Sequence, residues 1–151
     1  MARHTVVHRL PYTPDQLFAL VGDVDRYPEF VPWVTHMRTS NAQATPDGRS
    51  TVDAEAGVGF SFLRERFATR VTRNPADRTI DVALLSGPFR KLSNQWRFTQ
   101  EADGWTRVDF LIDFEFRGPL LNALLRANFD RAVGKLIACF EARARALYGS
   151  A

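Results

Sequence analysis

The sequence is poor in the residues that build redox and metal chemistry. One cysteine, Cys139, stands among 151 residues. That excludes an intramolecular disulfide and any multi-cysteine zinc site, and it fits a reducing compartment. Histidine is scarce as well, with three in all. His4 and His8 flank a strand and His36 is distant in sequence, so the fixed short spacing of a metal site is missing and no metal is expected. Asp23-Val-Asp25 reads as helix termination and capping rather than a cation site. No apolar run approaches the ~20 residues that span a bilayer. The segment "MARHTVVHRL" alternates instead of forming the apolar core of a signal peptide. A cytoplasmic protein, soluble or at most resting on a membrane, is expected. No Gly-x-Ser-x-Gly or His-Glu-x-x-His is present, and Gly57-Val-Gly59 opens a hairpin with no helix behind it, so it is not a dinucleotide loop. Repeats, linkers and low-complexity segments are lacking too.

What is present is an ordinary globular composition, 45% apolar and 25% charged, of a length that predicts one domain over residues 1–151. Such a chain buries roughly two-thirds of its unfolded surface. The net charge of +3 and pI near 9.5 favour anionic surfaces. The charges are interleaved, however, so a solvated mixed surface explains them equally well and DNA is not an expected partner. The aromatics are unusual: twelve are Phe, against three Trp and three Tyr. Phe has no polar handle and belongs in a core, a ligand cavity or an interface.

Arg3 to Leu10 alternates like a half-buried strand, ended by Pro11. Thr13-Pro14-Asp15 reads as an N-cap, a proline at the first helical position and a first-turn acid, opening a helix that stops near Gly22. A second helical turn runs from Asp25 to Phe30. From Trp33 to Phe116, turn signals at Pro46-Asp47-Gly48, Gly57/Gly59, Asn74-Pro75, Gly87-Pro88 and Asp103-Gly104 predict an antiparallel meander of about six strands. Val108, Phe110, Ile112, Phe114 and Phe116 share one face of the last strand, and Leu92, Asn94, Trp96 and Phe98 one face of the strand before it. Gly118-Pro119 then opens a helix of ~45 Å to Tyr148, closed by Gly149. Its second half carries an apolar stripe of Phe129, Ala132, Val133, Leu136, Ile137, Phe140, Ala144 and Leu147. Leu120, Leu121 and Leu124 fall off that stripe. The expected class is α+β: a curved antiparallel sheet of six to seven strands wrapping a long C-terminal helix, with two short helices after the first strand.

Most of the aromatics are expected simply to fill the core. Four segments place apolar groups where a core does not reach: Tyr27-Pro-Glu-Phe-Val-Pro-Trp33, Phe60 and Phe62 at a hairpin tip, Gly87-Pro-Phe89, and the three off-stripe leucines. Together they suggest the rim of a cavity. Glu65, on the face of Phe67, is the acid most placed to point inward, either arginine-paired or catalytic.

"PYTPDQLFALVGDVDRYPEFVPW", "VGFSFLRERFATRV", "GPFRKLSNQWRF" and "VDFLIDFEFRGPLL" resemble, in order and over nearly the whole chain, the coenzyme Q-binding family of START-like proteins in the wider polyketide cyclase/dehydrase-like superfamily. The resemblance implies a helix-grip fold around a hydrophobic tunnel. It also implies non-catalytic binding of ubiquinone or a related isoprenoid lipid, with delivery to respiratory complexes and no catalytic cofactor. The implied tunnel lining is Tyr27, Phe30 and Trp33 after the first helix, Phe89, Trp96 and Phe98 on one strand, Phe110, Ile112, Phe114 and Phe116 on the next, and Phe129, Val133 and Leu136 on the long helix. The implied mouth is Phe60, Phe62, Leu120, Leu121 and Leu124. An apolar tip there would dip into a bilayer interface, with Arg64, Arg66, Arg90 and Lys91 favouring anionic headgroups. A long continuous strand with both Phe in the core is the alternative. A sister branch, the RatA ribosome-association toxins, which interfere with the joining of ribosomal subunits, shares the Tyr-Pro-x-Phe, Gly-Pro-Phe and Asp-Phe-Glu-Phe elements. Trp33 after Pro32 and the "VGF…ERF" hairpin favour the quinone branch, and Val34 stands where both branches commonly have Cys. The ribosome is the partner in that second reading.

Overall fold

Alternation puts an apolar row on one face of the strands, and a sheet so built needs helices to cover that face. The computed structural model describes residues 2–60 and 63–149. Side chains at 2, 60, 63, 121, 122, 124–126, 128 and 129 lie outside that description. The order is β1 (Ala2–Leu10), α1 (Pro14–Gly22), a 3₁₀ turn (Val24–Glu29), β2 (Val34–Ala44), β3 (Ser50–Phe60), β4 (Leu63–Asn74), β5 (Thr79–Ser86), β6 (Phe89–Gln100), β7 (Thr106–Phe116) and α2 (Pro119–Tyr148). All seven strands form one antiparallel sheet in the order β1-β7-β6-β5-β4-β3-β2. β1 and β2 are the two edges, so α1 and the 3₁₀ turn carry the chain from one edge to the other before the meander returns.

The helix starts follow the local chemistry. Thr13 Oγ1 accepts from Gln16 N at 3.1 Å and Gln16 Oε1 accepts from Thr13 N at 3.0 Å, a reciprocal cap with Pro14 at the first helical position. Such a cap contributes about 1 kcal/mol. α2 begins at Pro119 and runs unbroken to Tyr148, where the Gly149 N–H donates to Arg145 O. Val133, Ile137, Phe140 and Ala144 form its buried stripe. Leu147, expected on that stripe, is instead 51% exposed. The last turn packs on α1 rather than on the sheet: the Tyr148 hydroxyl donates to Gln16 O at 2.9 Å and its ring lies 6.0 Å from Tyr12. That turns Leu147 toward solvent.

The expected turn at Gly57/Gly59 is not where the chain turns. Both glycines lie inside β3, which continues to Phe60 and pairs it with Leu63. The role of Gly57 is to admit a neighbour. β2 is irregular between Val34 and His36, and the His36 ring lies over Gly57, where a Cβ would sit 2.1 Å from its Cε1. The Gly59 N–H donates to Trp33 O at 2.8 Å. Gly87, between β5 and β6, does mark a turn. Its φ of +145° and the Phe67 Cβ 2.5 Å from any side chain added there both require glycine.

Candidate functional site

The inner face of the sheet gathers the aromatic residues into two packed groups. In the first, Trp96 on β6 meets Phe110 on β7 at 4.7 Å between ring centroids and Phe140 on α2 at 5.1 Å. Phe140 in turn meets Tyr27 at 5.3 Å and Phe30 at 5.2 Å. Edge-to-face contacts of this kind add to simple burial. Phe98 and Val133 complete the buried set, with Ile112 and Leu136 packed against it. In the second, Phe89 lies 4.5 Å from Phe116 and 5.3 Å from Phe67, and Phe114 lies 5.8 Å from Phe116. Leu84 and Leu92 cover this group.

Eleven of the expected lining residues are thus assigned to these two groups, and Tyr27, Phe30 and Phe89 bring the loop segments into them. Trp33 is half-buried and presents its backbone to β3. Of the expected mouth, Leu120 is 85% exposed. Phe62, and the side chains of Phe60, Leu121, Leu124 and Phe129, lie outside the described residues. Two central residues were not singled out as site residues from sequence: Phe140, which bridges helix, sheet and 3₁₀ turn, and Phe67, which wedges against Gly87. The helical stripe already contained Phe140; only the fold shows that three elements converge on it.

Among the described residues, the aromatic group around Phe140 is closely packed. Beside Trp96, Phe98, Ile137 and Phe140 the remaining gap is about 20 Å³, room for one water and far below the ~300 Å³ of a small-molecule site. Polar groups on this face serve the fold. The Asn94 side chain donates to Leu111 O at 2.9 Å and accepts from Trp96 Nε1 at 3.0 Å. The Tyr27 hydroxyl donates to Val21 O, and burial pushes its pKa up. Glu65 is half-buried opposite Val58. His4 Nδ1 lies 3.1 Å from Asp130, and His8 contacts Glu141, so two of the three histidines tie β1 to α2. Asp25 accepts from Thr39 at 2.8 Å, and Asp23 lies 3.7 Å from Arg26. Among the described residues no group of three His, Cys, Asp or Glu is placed to hold a metal.

A packed helix-grip with this element order can be compared with known proteins. The family model for polyketide cyclase/dehydrase and lipid transport matches residues 10–141. The chain belongs to that family. Within the cyclase/dehydrase and lipid transport family it is 36% identical to a ribosome association toxin RatA of Pseudomonas aeruginosa over 140 residues, 93% of each chain. It is 28% identical to a coenzyme Q-binding protein COQ10 homolog B of Xenopus laevis over 143 residues, 93% of this chain and 57% of that protein. Among solved structures, an 18 kDa protein of Caulobacter crescentus is 64% identical, with a TM-score of 0.84 and coverage of 99% and 100%. The identities therefore order the two branches opposite to the reading from Trp33 and the β3–β4 hairpin. Among the described residues no helix is long and apolar enough to cross a membrane.

Proposed function

We propose that this protein is a ribosome-binding factor of the RatA kind, which acts by occupying a subunit surface rather than by catalysis. The observation that carries this reading is the end-to-end match to a ribosome association toxin, 36% identical over 93% of both chains. The packing of the interior supports it. With about 20 Å³ open beside Phe140, this part of the molecule offers its outer surface to a partner more readily than a cavity to a ligand. A non-catalytic role agrees with the hydrogen bonding of Asn94, whose amide nitrogen and oxygen each have a partner within the fold. Binding that covers the intersubunit face of one subunit would hold the subunits apart by steric exclusion.

The test is to add purified protein to separated ribosomal subunits and raise magnesium while following association by light scattering. A dose-dependent loss of the monosome signal is expected. Association at the rate and extent of untreated subunits overturns the reading.

A second reading, binding of ubiquinone or a related isoprenoid lipid at a membrane surface, has its support in the COQ10 homologue at 28% identity and in the exposed Leu120 at the start of α2. Beside Phe140 only about 20 Å³ is open, so a ligand seated there would need the second half of α2 to move off the sheet. Organic extraction of protein purified from cells, followed by mass spectrometry, decides it: stoichiometric quinone favours this reading and its absence removes it.

A further inference from the structure

On the outer face of the sheet, strand register brings cationic side chains together that are far apart in sequence. Across β1 and β7, Arg3 faces Asp113, Thr5 faces Leu111 and Arg9 faces Arg107. Across β6 and β7, Gln95 faces Leu111, Arg97 faces Asp109 and Thr99 faces Arg107. Arg3, Arg97 and Arg107, with Thr5, Thr99 and Gln95 between them, line an open depression of about 550 Å³.

Most cations on this face have carboxylate partners. Arg70 pairs with Asp53 at 2.8 Å, Lys91 with Asp113 at 2.9 Å, and Arg107 with Asp109 at 3.1 Å. Arg3 and Arg97 are exposed and have no carboxylate within 4.0 Å among the described residues. The depression, a shallow arginine tray, therefore holds three guanidinium groups against the single carboxylate of Asp109. Four residue steps along β7, from Asp109 to Asp113, separate the strand positions opposite Arg97 and Arg3, roughly 13 Å along the strands. Arginines spread over that distance suit a chain of phosphates better than one small anion, and the guanidinium fork matches phosphate oxygens two at a time.

An aromatic group ends the row. Trp105, two residues before Arg107, is 41% exposed, and the Arg9 guanidinium carbon lies 5.3 Å from its ring centroid. Arg9 is itself held by Glu101 and Asp103, which fixes the stack. A basic strip ending in an exposed indole is the combination that grips a nucleic-acid backbone and stacks an unpaired base. Insertion into a lipid interface would need a cluster of large apolar groups among the cations; here Val7 on β1 and Leu111 on β7 are the apolar groups among them, and threonine and glutamine occupy the neighbouring places.

We propose that the outer face of β1, β7 and β6 is the docking surface for ribosomal RNA, with Arg3, Arg97 and Arg107 on phosphates and Trp105 stacking on an exposed base. This rests on the ribosome-binding reading above and adds where on the molecule the contact is made.

The experiment compares wild type, Arg3→Glu/Arg97→Glu, the milder Arg3→Gln/Arg97→Gln, and a control of equal charge change on α2, Arg131→Glu/Arg145→Glu. Each is tested for co-sedimentation with purified ribosomal subunits over a range of KCl, for co-sedimentation with phosphatidylglycerol vesicles, and for thermal stability. Wild type should bind with affinity that falls steeply with salt. The Glu pair should lose at least about tenfold in affinity, and both tray variants should lower the log–log salt slope by about 1 to 2, the effect of removing two phosphate contacts. The α2 control should stay within about threefold of wild type. If wild type binds and the tray variants bind equally well, the surface assignment fails while the ribosome reading stands. An equal loss in the α2 control assigns the effect to net charge and also overturns the tray. If wild type does not bind subunits, the ribosome reading fails and the RNA assignment falls with it. Should the tray variants keep subunit binding but lose binding to phosphatidylglycerol vesicles, the surface belongs to a membrane and the RNA proposal is wrong.

Discussion

The ring of Phe140 stands 5.1 Å from that of Trp96, their planes at 62°. Through this contact the long helix grips the sheet, and Tyr27 and Phe30 close over the other side of the same ring. Three elements from distant parts of the chain depend on one side chain.

Phe140→Ala should therefore destabilise the protein by about 3–5 kcal/mol, the cost of truncating a buried Phe in a packed core. Urea denaturation followed by intrinsic tryptophan fluorescence measures it. A loss below about 1 kcal/mol would mean that the helix is held mainly elsewhere.

Two glycines should respond in opposite directions to alanine. Gly87→Ala forces a Cβ against the Phe67 Cβ and Cα at a φ of +145°, and should cost about 1–3 kcal/mol. Gly134 lies in α2 with no atom within 4 Å of a built Cβ, and Gly134→Ala should stabilise by about 0.5–1 kcal/mol from helix propensity alone. Thermal melts of the two variants check both signs.

Acid should weaken the fold partly through Asp15. The Arg78 guanidinium, hydrogen-bonded to it at 2.8 Å, holds its carboxyl below the usual carboxylate range. A carboxyl depressed in the folded state contributes stability above its unfolded value near ~4 and loses it as pH falls through the lower folded value. The stability gap between wild type and Arg78→Gln should accordingly close from pH 5 to pH 2. A gap that stays constant with pH would exclude this pair as a source of acid sensitivity.

Cys139 should be a slow thiol. It is half-buried on α2, and burial pushes its pKa up, so little thiolate is present near neutrality. Reaction with an aromatic disulfide reagent at pH 7.5 should run about tenfold or more below that of free cysteine and accelerate at higher pH. A rate equal to that of free cysteine would place the sulfur in solvent.

Sequence by itself determined the element order and nearly every boundary of this protein, because the signals are local. Thr13-Pro14 opens α1, Gly118-Pro119 precedes α2, and the alternation from Val108 to Phe116 sets which face of β7 is apolar. It also determined which aromatics would meet, since period-two faces leave Trp96 and Phe110 no other side. Tertiary structure alone decided what those faces do. Gly57 reads as a turn until β2 lays His36 across it. Phe140 arrives from 44 residues beyond Trp96 to pack on the apolar face, a convergence that no local pattern shows. The arginine tray was hidden for the same reason. Arg3, Arg97 and Arg107 sit among interleaved charges in the chain, and only antiparallel register through β7 sets them on one surface. Local preference fixes the backbone segment by segment, whereas the chemistry of a surface depends on which distant segments the sheet makes neighbours.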